Sequence, residues 1–113
     1  MTTKLGERIK VLREQHRVGV RELGRIVDDS AMHISNIEKG KSSASAEIIQ
    51  KIANALQADA DELLALADQV APDVAGVIHS NTQAVPSFLR AAKDLSPEQW
   101  TELMKQVEKM KGK

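Results

Sequence analysis

The sequence of 113 residues is long enough for one small domain with an appendage and too short for a large catalytic α/β fold. Hydrophobic residues make up 42% of the chain and charged residues 28%, a balance that favours globular folding over disorder. The net charge is zero and Cys is absent, so total charge indicates no partner, and disulfides, thiolate metal sites and cysteine nucleophiles are excluded.

The distribution of charge is more informative than its total. Residues 1–41 hold nine Lys and Arg against six Asp and Glu, whereas residues 42–66 hold one Lys against four acids. No segment approaches the ~18 consecutive apolar residues of a membrane span, and the N-terminus has no apolar signal region. We therefore expect a cytoplasmic protein whose N-terminal third is its basic end.

The first part of the chain predicts five short helices with apolar residues at helical spacing. Their inward positions are Leu5, Ile9, Leu12, Leu23, Val27, Ile34, Ile37, Ile49, Ile52, Ala53, Leu56, Leu63, Leu64 and Leu66. The first three helices cover about 4–15, 21–27 and 31–39. Ser45 and Asp59 are expected to cap the fourth and the fifth.

The residues that follow predict further helices. Pro72 and Pro86 are each expected to start one, because proline suits the first helical position. The segment Ser96-Pro97-Glu98-Gln99 combines an N-cap, a proline at N1 and a Gln at N3, which is a strong start signal. An apolar stripe follows it at Trp100, Leu103, Met104, Val107 and Met110. Nothing alternates with period two, so the predicted fold class is all-α.

Residues 28–30 join two short helices at the length of a helix-turn-helix connection. In that motif the second helix enters the major groove of DNA and presents its N-terminal side chains to base edges. Here the helix begins Ser30-Ala31-Met32-His33, and Asn36 lies one turn on. Lys39 and Lys41 lie at its far end, where they can reach phosphates.

The segment SAMHISNIEKGK, from Ser30 to Lys41, closely resembles the recognition helix of the XRE, or Cro/C1-repressor-like, helix-turn-helix family. The typical pattern there is Ser-x-x-x-Ile-Ser-x-Ile-Glu-x-Gly. Residues 5–13, 52–56 and 61–64 resemble the first, fourth and fifth helices of the family. The resemblance covers about residues 4–66. It implies a lambda-repressor-like DNA-binding domain, over 1–67, followed by a short helical oligomerisation region, over 68–113.

The resemblance also implies roles for individual residues and a homodimer on a palindromic operator. Its base-facing positions are Ala31, Met32, His33 and Asn36. Its phosphate contacts come from Val20, Arg21, Ser35, Lys39, Lys41, Ser42 and Ser43. It further pairs Arg13 with Glu38, which fixes the first helix against the recognition helix.

Several positions depart from the pattern of the family. Gly19 stands where the cap of the second helix is usually Ser or Thr, and Val20 replaces a Gln that can donate to phosphate. Asp28-Asp29 replaces the usual glycine and apolar residue of the turn, and two carboxylates oppose a phosphate backbone unless they point away. Ala31 and Met32 cannot make bidentate hydrogen bonds to bases. We therefore expect modest affinity and a share of indirect readout.

The C-terminal region suits dimerisation and is too short for a ligand-sensing domain. The residues predicted to form the dimer are Phe88, Leu89, Trp100, Leu103, Met104 and Val107. Whether this stripe packs within one chain or between two stays open. A dimer would place two recognition helices about one DNA turn (~34 Å) apart.

The segment VPSFLRAAK, from Val85 to Lys93, resembles the tail of XRE repressors encoded beside ImmA/IrrE-type zinc metallopeptidases. In that group, cleavage in the C-terminal region destroys the dimer and releases the operator. The resemblance implies a scissile bond near Leu89-Arg90 and a zinc metallopeptidase as a partner.

Catalysis, a metal site and a cofactor are not expected. His16, His33 and His79 do not lie at metal-ligand spacing. Ser30 and His33 lie one turn apart, but we expect no acid to orient the imidazole, and Ser30 is explained as an N-cap. The prediction is a homodimeric repressor. An antitoxin that binds its own promoter and a toxin, and an interaction module that has lost DNA binding, stay open.

Overall fold

The computed structural model describes residues 3–112, which form α-helices and no strand. The helices are α1 (Lys4–Gln15), α2 (Val20–Val27), α3 (Ala31–Glu38), α4 (Ala46–Ala55), α5 (Ala60–Leu66), α6 (Pro72–Ser80), α7 (Ala84–Ala92) and α8 (Pro97–Met110). The predicted all-α class is confirmed. Within residues 3–112, none of these helices has the length and apolar character needed to cross a bilayer.

Local side-chain chemistry sets where most of the helices begin. In each of five helices, an N-cap oxygen accepts a hydrogen bond of 2.9–3.2 Å from the backbone N–H three residues on. The caps are Thr3, Ser30, Ser45, Asp59 and Ser96. Each such cap stabilises its helix by roughly 1 kcal/mol. At the start of α8, Gln99 also accepts from the backbone N–H of Ser96 at 2.9 Å, which completes a capping box.

The start predicted for α7 at Pro86 is wrong, because the helix begins at Ala84. Pro86 occupies the first turn. The N–H groups of the first turn have no partner within a helix, so a proline there removes no helical hydrogen bond. A proline therefore marks the neighbourhood of a helix start and leaves its first residue open.

The described chain forms two compact units, one up to Ala75 and one from Gly76 onwards. In the first unit, α1 packs against α3 and α5, α2 packs against α3 and α4, and α4 packs against α5. The predicted inward residues of these helices are buried except Leu66, which is 38% exposed. Ala71 also packs into this core. The domain boundary placed after residue 67 stays a prediction.

The second unit contains α7 and α8. The rings of Phe88 and Trp100 meet edge to face, with their centroids 6.3 Å apart and their planes at 76°, a favourable aromatic geometry. Ala92 is buried, whereas most of the large apolar side chains of the two helices are exposed. One face of this unit is therefore apolar and open.

Candidate nucleic-acid interface

The turn between α2 and α3 depends on Asp28 and on the absence of a side chain at Gly24. Asp28 ends α2 in the left-handed conformation, with φ 60° and ψ 50°, which Asp adopts at lower cost than most residues. The next N–H, of Asp29, donates to the carbonyl of Gly24 at 2.7 Å. A Cβ on Gly24 would lie 2.7 Å from the carbonyl oxygen of Asp29. The turn therefore closes tightly, and α3 begins directly after it.

Arg13 on α1 and Glu38 on α3 form a bidentate ion pair. The guanidinium donates from Nε to Oε2 at 2.7 Å and from Nη2 to Oε1 at 3.0 Å, and its Nη1 donates to the carbonyl of Val18 at 3.1 Å. Glu38 is buried. The hydrogen bond to Glu38 raises the pKa of Arg13, so the guanidinium stays charged. The structure thus brings the predicted pair together, and Glu38 holds α3 rather than facing solvent.

A close approach at Gly6 adds to this contact between α1 and α3. A Cβ on Gly6 would lie 2.3 Å from the carbonyl oxygen of Glu38 and 2.8 Å from that of Ile37. Both distances are far shorter than a van der Waals contact. The backbone of α1 therefore lies directly against the C-terminal end of α3.

The N-terminal half of α3 remains open on its outer face. Met32 is 74% exposed, and the other predicted base-facing residues, Ala31, His33 and Asn36, are partly exposed. The opposite face carries Ile34 and Ile37 into the core. Within the described first unit, the positions predicted to face DNA therefore share the surface side of the helix.

Asp29 takes part in a contact that the sequence did not predict. Its Oδ1 accepts from the N–H of Ser30 at 2.7 Å, and its Oδ2 lies 2.5 Å from Nδ1 of His33. Desolvation acts to raise the pKa of Asp29, but the hydrogen bonds with His33 and Ser30 outweigh it, so the pKa lies below its ordinary value. The expectation that no acid orients His33 is therefore wrong. The available signal was an Asp four residues before a His, with a helix start between them.

A cavity of about 260 Å³ lies where α1, the start of α2 and the end of α3 meet. Its lining comprises Lys10, Arg13, Val20, Ser35, Glu38 and Lys39. Arg13 and Glu38 pair with each other, and Lys10 and Lys39 are the other charged residues of the lining. Gly19 caps α2 without a side-chain hydrogen bond, so no side chain covers the first N–H groups of α2 from that position. Sequence reasoning missed Lys10, because only the packing of α1 brings it to this cavity.

The remaining predicted phosphate contacts follow α3 or lie on α2. Gly40 adopts a φ of 75°, and the N–H groups of Lys41 and Ser42 then donate to the carbonyl of Asn36 at 2.8 and 3.3 Å. Gly40 thus ends α3 as a C-terminal helix cap in the left-handed conformation, which glycine commonly provides. Arg21 on α2 is exposed, as are Lys39, Lys41 and Ser43 in the segment that follows α3; Ser42 is partly exposed.

The residues predicted to form the dimer lie in the second unit. Five of the six are exposed by more than a third of their surface: Phe88, Leu89, Trp100, Met104 and Val107. Leu103 is partly buried. The bond between Leu89 and Arg90, near which cleavage is predicted, lies inside α7 rather than in a loop.

Comparison with known families decides the class of the protein. A family model described as a helix-turn-helix domain matches residues 4–66, which is more than half of the chain. The chain belongs to this helix-turn-helix family. Its type is that of the XRE, Cro/C1-like regulators, which are DNA-binding transcription regulators. The resemblance predicted from the sequence is thereby confirmed for the helix-turn-helix domain. No curated protein matches the chain.

Solved structures share the fold of this helix-turn-helix protein. The P22 c2 repressor, in complex with the synthetic operator 9T, is 31% identical, with a TM-score of 0.51; the match covers 55% of this chain and 94% of that one. ClgR, the clp gene regulator from Corynebacterium glutamicum, is 22% identical, with a TM-score of 0.51, over 78% of this chain and 88% of that one. SinR in its complex with SinI is 17% identical, with a TM-score of 0.52, over 96% of this chain and 99% of that one.

Proposed function

We propose that this protein is a transcriptional repressor that binds a palindromic DNA operator as a homodimer in the cytoplasm. The proposal rests on the outer face of α3, which begins directly after a tight turn and is exposed to solvent, with Met32 its most exposed residue. A helix presented in this way fits the major groove, which is about 12 Å wide. The P22 c2 repressor, 31% identical and solved on an operator, supports the same use of the motif.

Base recognition on this proposal is mixed in character. Asn36 offers an amide that can bond an adenine edge, whereas Ala31 and Met32 offer apolar contact to thymine methyls. Few direct hydrogen bonds to bases are then available from α3. The shape and stiffness of the duplex would supply the rest of the specificity.

Phosphate contact on this proposal centres on the cavity between α1, α2 and α3. Lys10, Lys39 and Val20, the first residue of α2, line it, and Gly19 makes no side-chain cap at that helix start. Free N–H groups and the positive end of the helix dipole attract an anion at a helix start. A backbone phosphate seated there would fix the register of α3 in the groove without reading sequence.

Dimerisation is proposed to use the open apolar face of α7 and α8. Exposed apolar side chains on two adjacent helices are costly in water and favour burial against a second copy. Linking two recognition helices converts the second half-site contact into an intramolecular event, which raises the overall affinity.

Cleavage near the bond between Leu89 and Arg90 is proposed as the step that breaks the dimer and releases the operator. A cut at this bond would leave Phe88 and Trp100 on different fragments, so that no covalent link would hold their rings together. Because the bond lies inside α7, a peptidase would need this helix to unwind locally. The proposed partner is a zinc metallopeptidase that acts on the C-terminal unit, because residues 85–93 resemble the tail of repressors encoded beside such enzymes.

Selection from randomised duplex DNA tests the proposal. Repeated binding and amplification with the full-length protein should enrich a palindromic sequence, and the affinity for it should fall steeply as salt rises. Failure to enrich any duplex would contradict the function. Enrichment of a palindrome by a protein that sediments only as a complex with a second, different chain would favour the antitoxin alternative.

A further inference from the structure

The carboxylate of Asp29 is held at both of its oxygens. The N–H of Ser30 fixes Oδ1 at 2.7 Å, and Oδ2 lies 2.5 Å from Nδ1 of His33. An ionised carboxylate accepts hydrogen bonds and donates none. Nδ1 of His33 must therefore carry the proton in this contact, and in the neutral imidazole Nε2 is the bare nitrogen. Within residues 3–112, Nε2 makes no hydrogen bond, and the side chain is 34% exposed.

We infer that Asp29 is a positioning residue for base recognition, which holds His33 in the Nδ1–H form so that Nε2 meets the duplex as a hydrogen-bond acceptor. The inference rests on the proposed DNA-binding function. It also explains why an acidic residue is tolerated in this turn. The carboxylate of Asp29 is engaged by His33 and Ser30 and does not face a phosphate unpaired.

The acceptor at Nε2 restricts the bases that His33 can select. In the major groove, the N4 amino group of cytosine and the N6 amino group of adenine donate, whereas N7 and O6 of guanine accept. Neutral His33 held by Asp29 therefore fits cytosine or adenine. A ring that carried its proton on Nε2 would offer a donor there instead, which fits guanine.

The charges around the pair come from its own turn and from α4. Asp28 directly precedes Asp29 in the chain. Lys51 on α4 acts on the Asp29 carboxylate, and Glu47 lies 3.4 Å from the Lys51 ammonium. The hydrogen bonds with His33 and Ser30, and to a smaller extent the attraction of Lys51, keep Asp29 ionised. Asp29 is therefore ionised near neutral pH, where both of its oxygens can accept hydrogen bonds.

The first test reads the imidazole directly in the full-length protein without DNA. Nitrogen-15 shifts of the His33 ring should show a protonated Nδ1 and a bare Nε2 once the ring is neutral. In Asp29→Asn, whose amide can donate or accept, the two neutral forms should become mixed. A bare Nδ1 in the wild-type protein would overturn the inference whether or not the protein binds DNA, and this measurement needs no variant to fold.

The second test measures base preference in duplex DNA enriched from a randomised pool. At one base pair, Asp29→Asn should reduce the preference for cytosine or adenine by about three- to tenfold. This is the change in affinity expected from the loss of one hydrogen bond. Asp28→Asn removes the same charge one residue away and should change the affinity for all DNA sequences by the same factor. Equal effects of the two variants would overturn the inference. No enriched sequence at all would overturn the proposed function and with it the readout, while the ring shifts would still report the Nδ1–H form.

Discussion

At Gly6 the backbone of α1 comes so close to the end of α3 that no side chain fits. Alanine within a helix normally stabilises a protein by roughly 0.5–1 kcal/mol relative to glycine. A Cβ at this position would lie 2.3 Å from the carbonyl oxygen of Glu38, so the helices would have to separate. Gly6→Ala should therefore lower the free energy of unfolding by about 1–3 kcal/mol.

Urea unfolding of Gly6→Ala beside Gly76→Ala checks this expectation. Gly76 lies in α6, where an added Cβ has nothing within 4 Å, so alanine there should stabilise by up to about 1 kcal/mol. Stabilisation by both substitutions would show that the close approach of α1 to α3 does not exist in solution.

Asp29 should make the stability of the domain depend on acid. Its pKa in the folded state lies below the ordinary value of 3.8. The ionised carboxylate therefore adds to the free energy of unfolding above that value, and this contribution is lost as the pH falls through the folded pKa. Asp29→Asn should therefore destabilise near neutral pH, and the difference from the wild type should vanish in strong acid. Thermal unfolding across pH measures this, with Asp28→Asn as control. A difference that persists in acid would contradict the assigned hydrogen bonds.

At the scale of the element, the cavity between α1, α2 and α3 makes a prediction about salt. Each phosphate neutralised contributes about 0.9 to the slope of log affinity against log salt. Lys10→Ala and Lys39→Ala should each lower the affinity for all DNA sequences by the same factor, and each should reduce that slope by about one. Lys105→Ala on α8 removes an equal charge from a residue that does not line the cavity, and it should leave the slope unchanged. An unaltered slope for Lys10→Ala would remove this residue from the phosphate contacts.

The sequence predicted helix starts well because caps act over three residues. Ser30 and Ser96 identify their helices without any tertiary information. The start of α7 was placed wrongly because Pro86 is tolerated anywhere in a first turn. Lys10 was missed for a different reason: only the packing of α1 brings it to the start of α2 and the end of α3. The Asp29–His33 contact was not predicted, because the charge and backbone preference of two adjacent Asp residues do not show which side chain each carboxylate will bind.

At the scale of the whole molecule, the open apolar face of α7 and α8 predicts a concentration-dependent dimer. Deletion of residues 90–113 removes most of that face and should give a monomer with much weaker operator binding. Val107→Glu in the full chain should act in the same direction, because Val107 is 46% exposed and its substitution leaves the core intact. Sedimentation velocity measures both. A dimer that survives the truncation would refute the assignment of this face.

The central claim is that the outer face of α3 meets duplex DNA, and the affinity of Met32→Glu tests it most directly. Met32 is 74% exposed, so a glutamate there should fold normally and place a negative charge against the duplex. Asn54→Glu adds the same charge on an exposed position of α4. For the enriched duplex, we expect Met32→Glu to lose at least about tenfold in affinity, or 1.4 kcal/mol, while Asn54→Glu changes little. Equal affinities for Met32→Glu and the wild type would contradict the account.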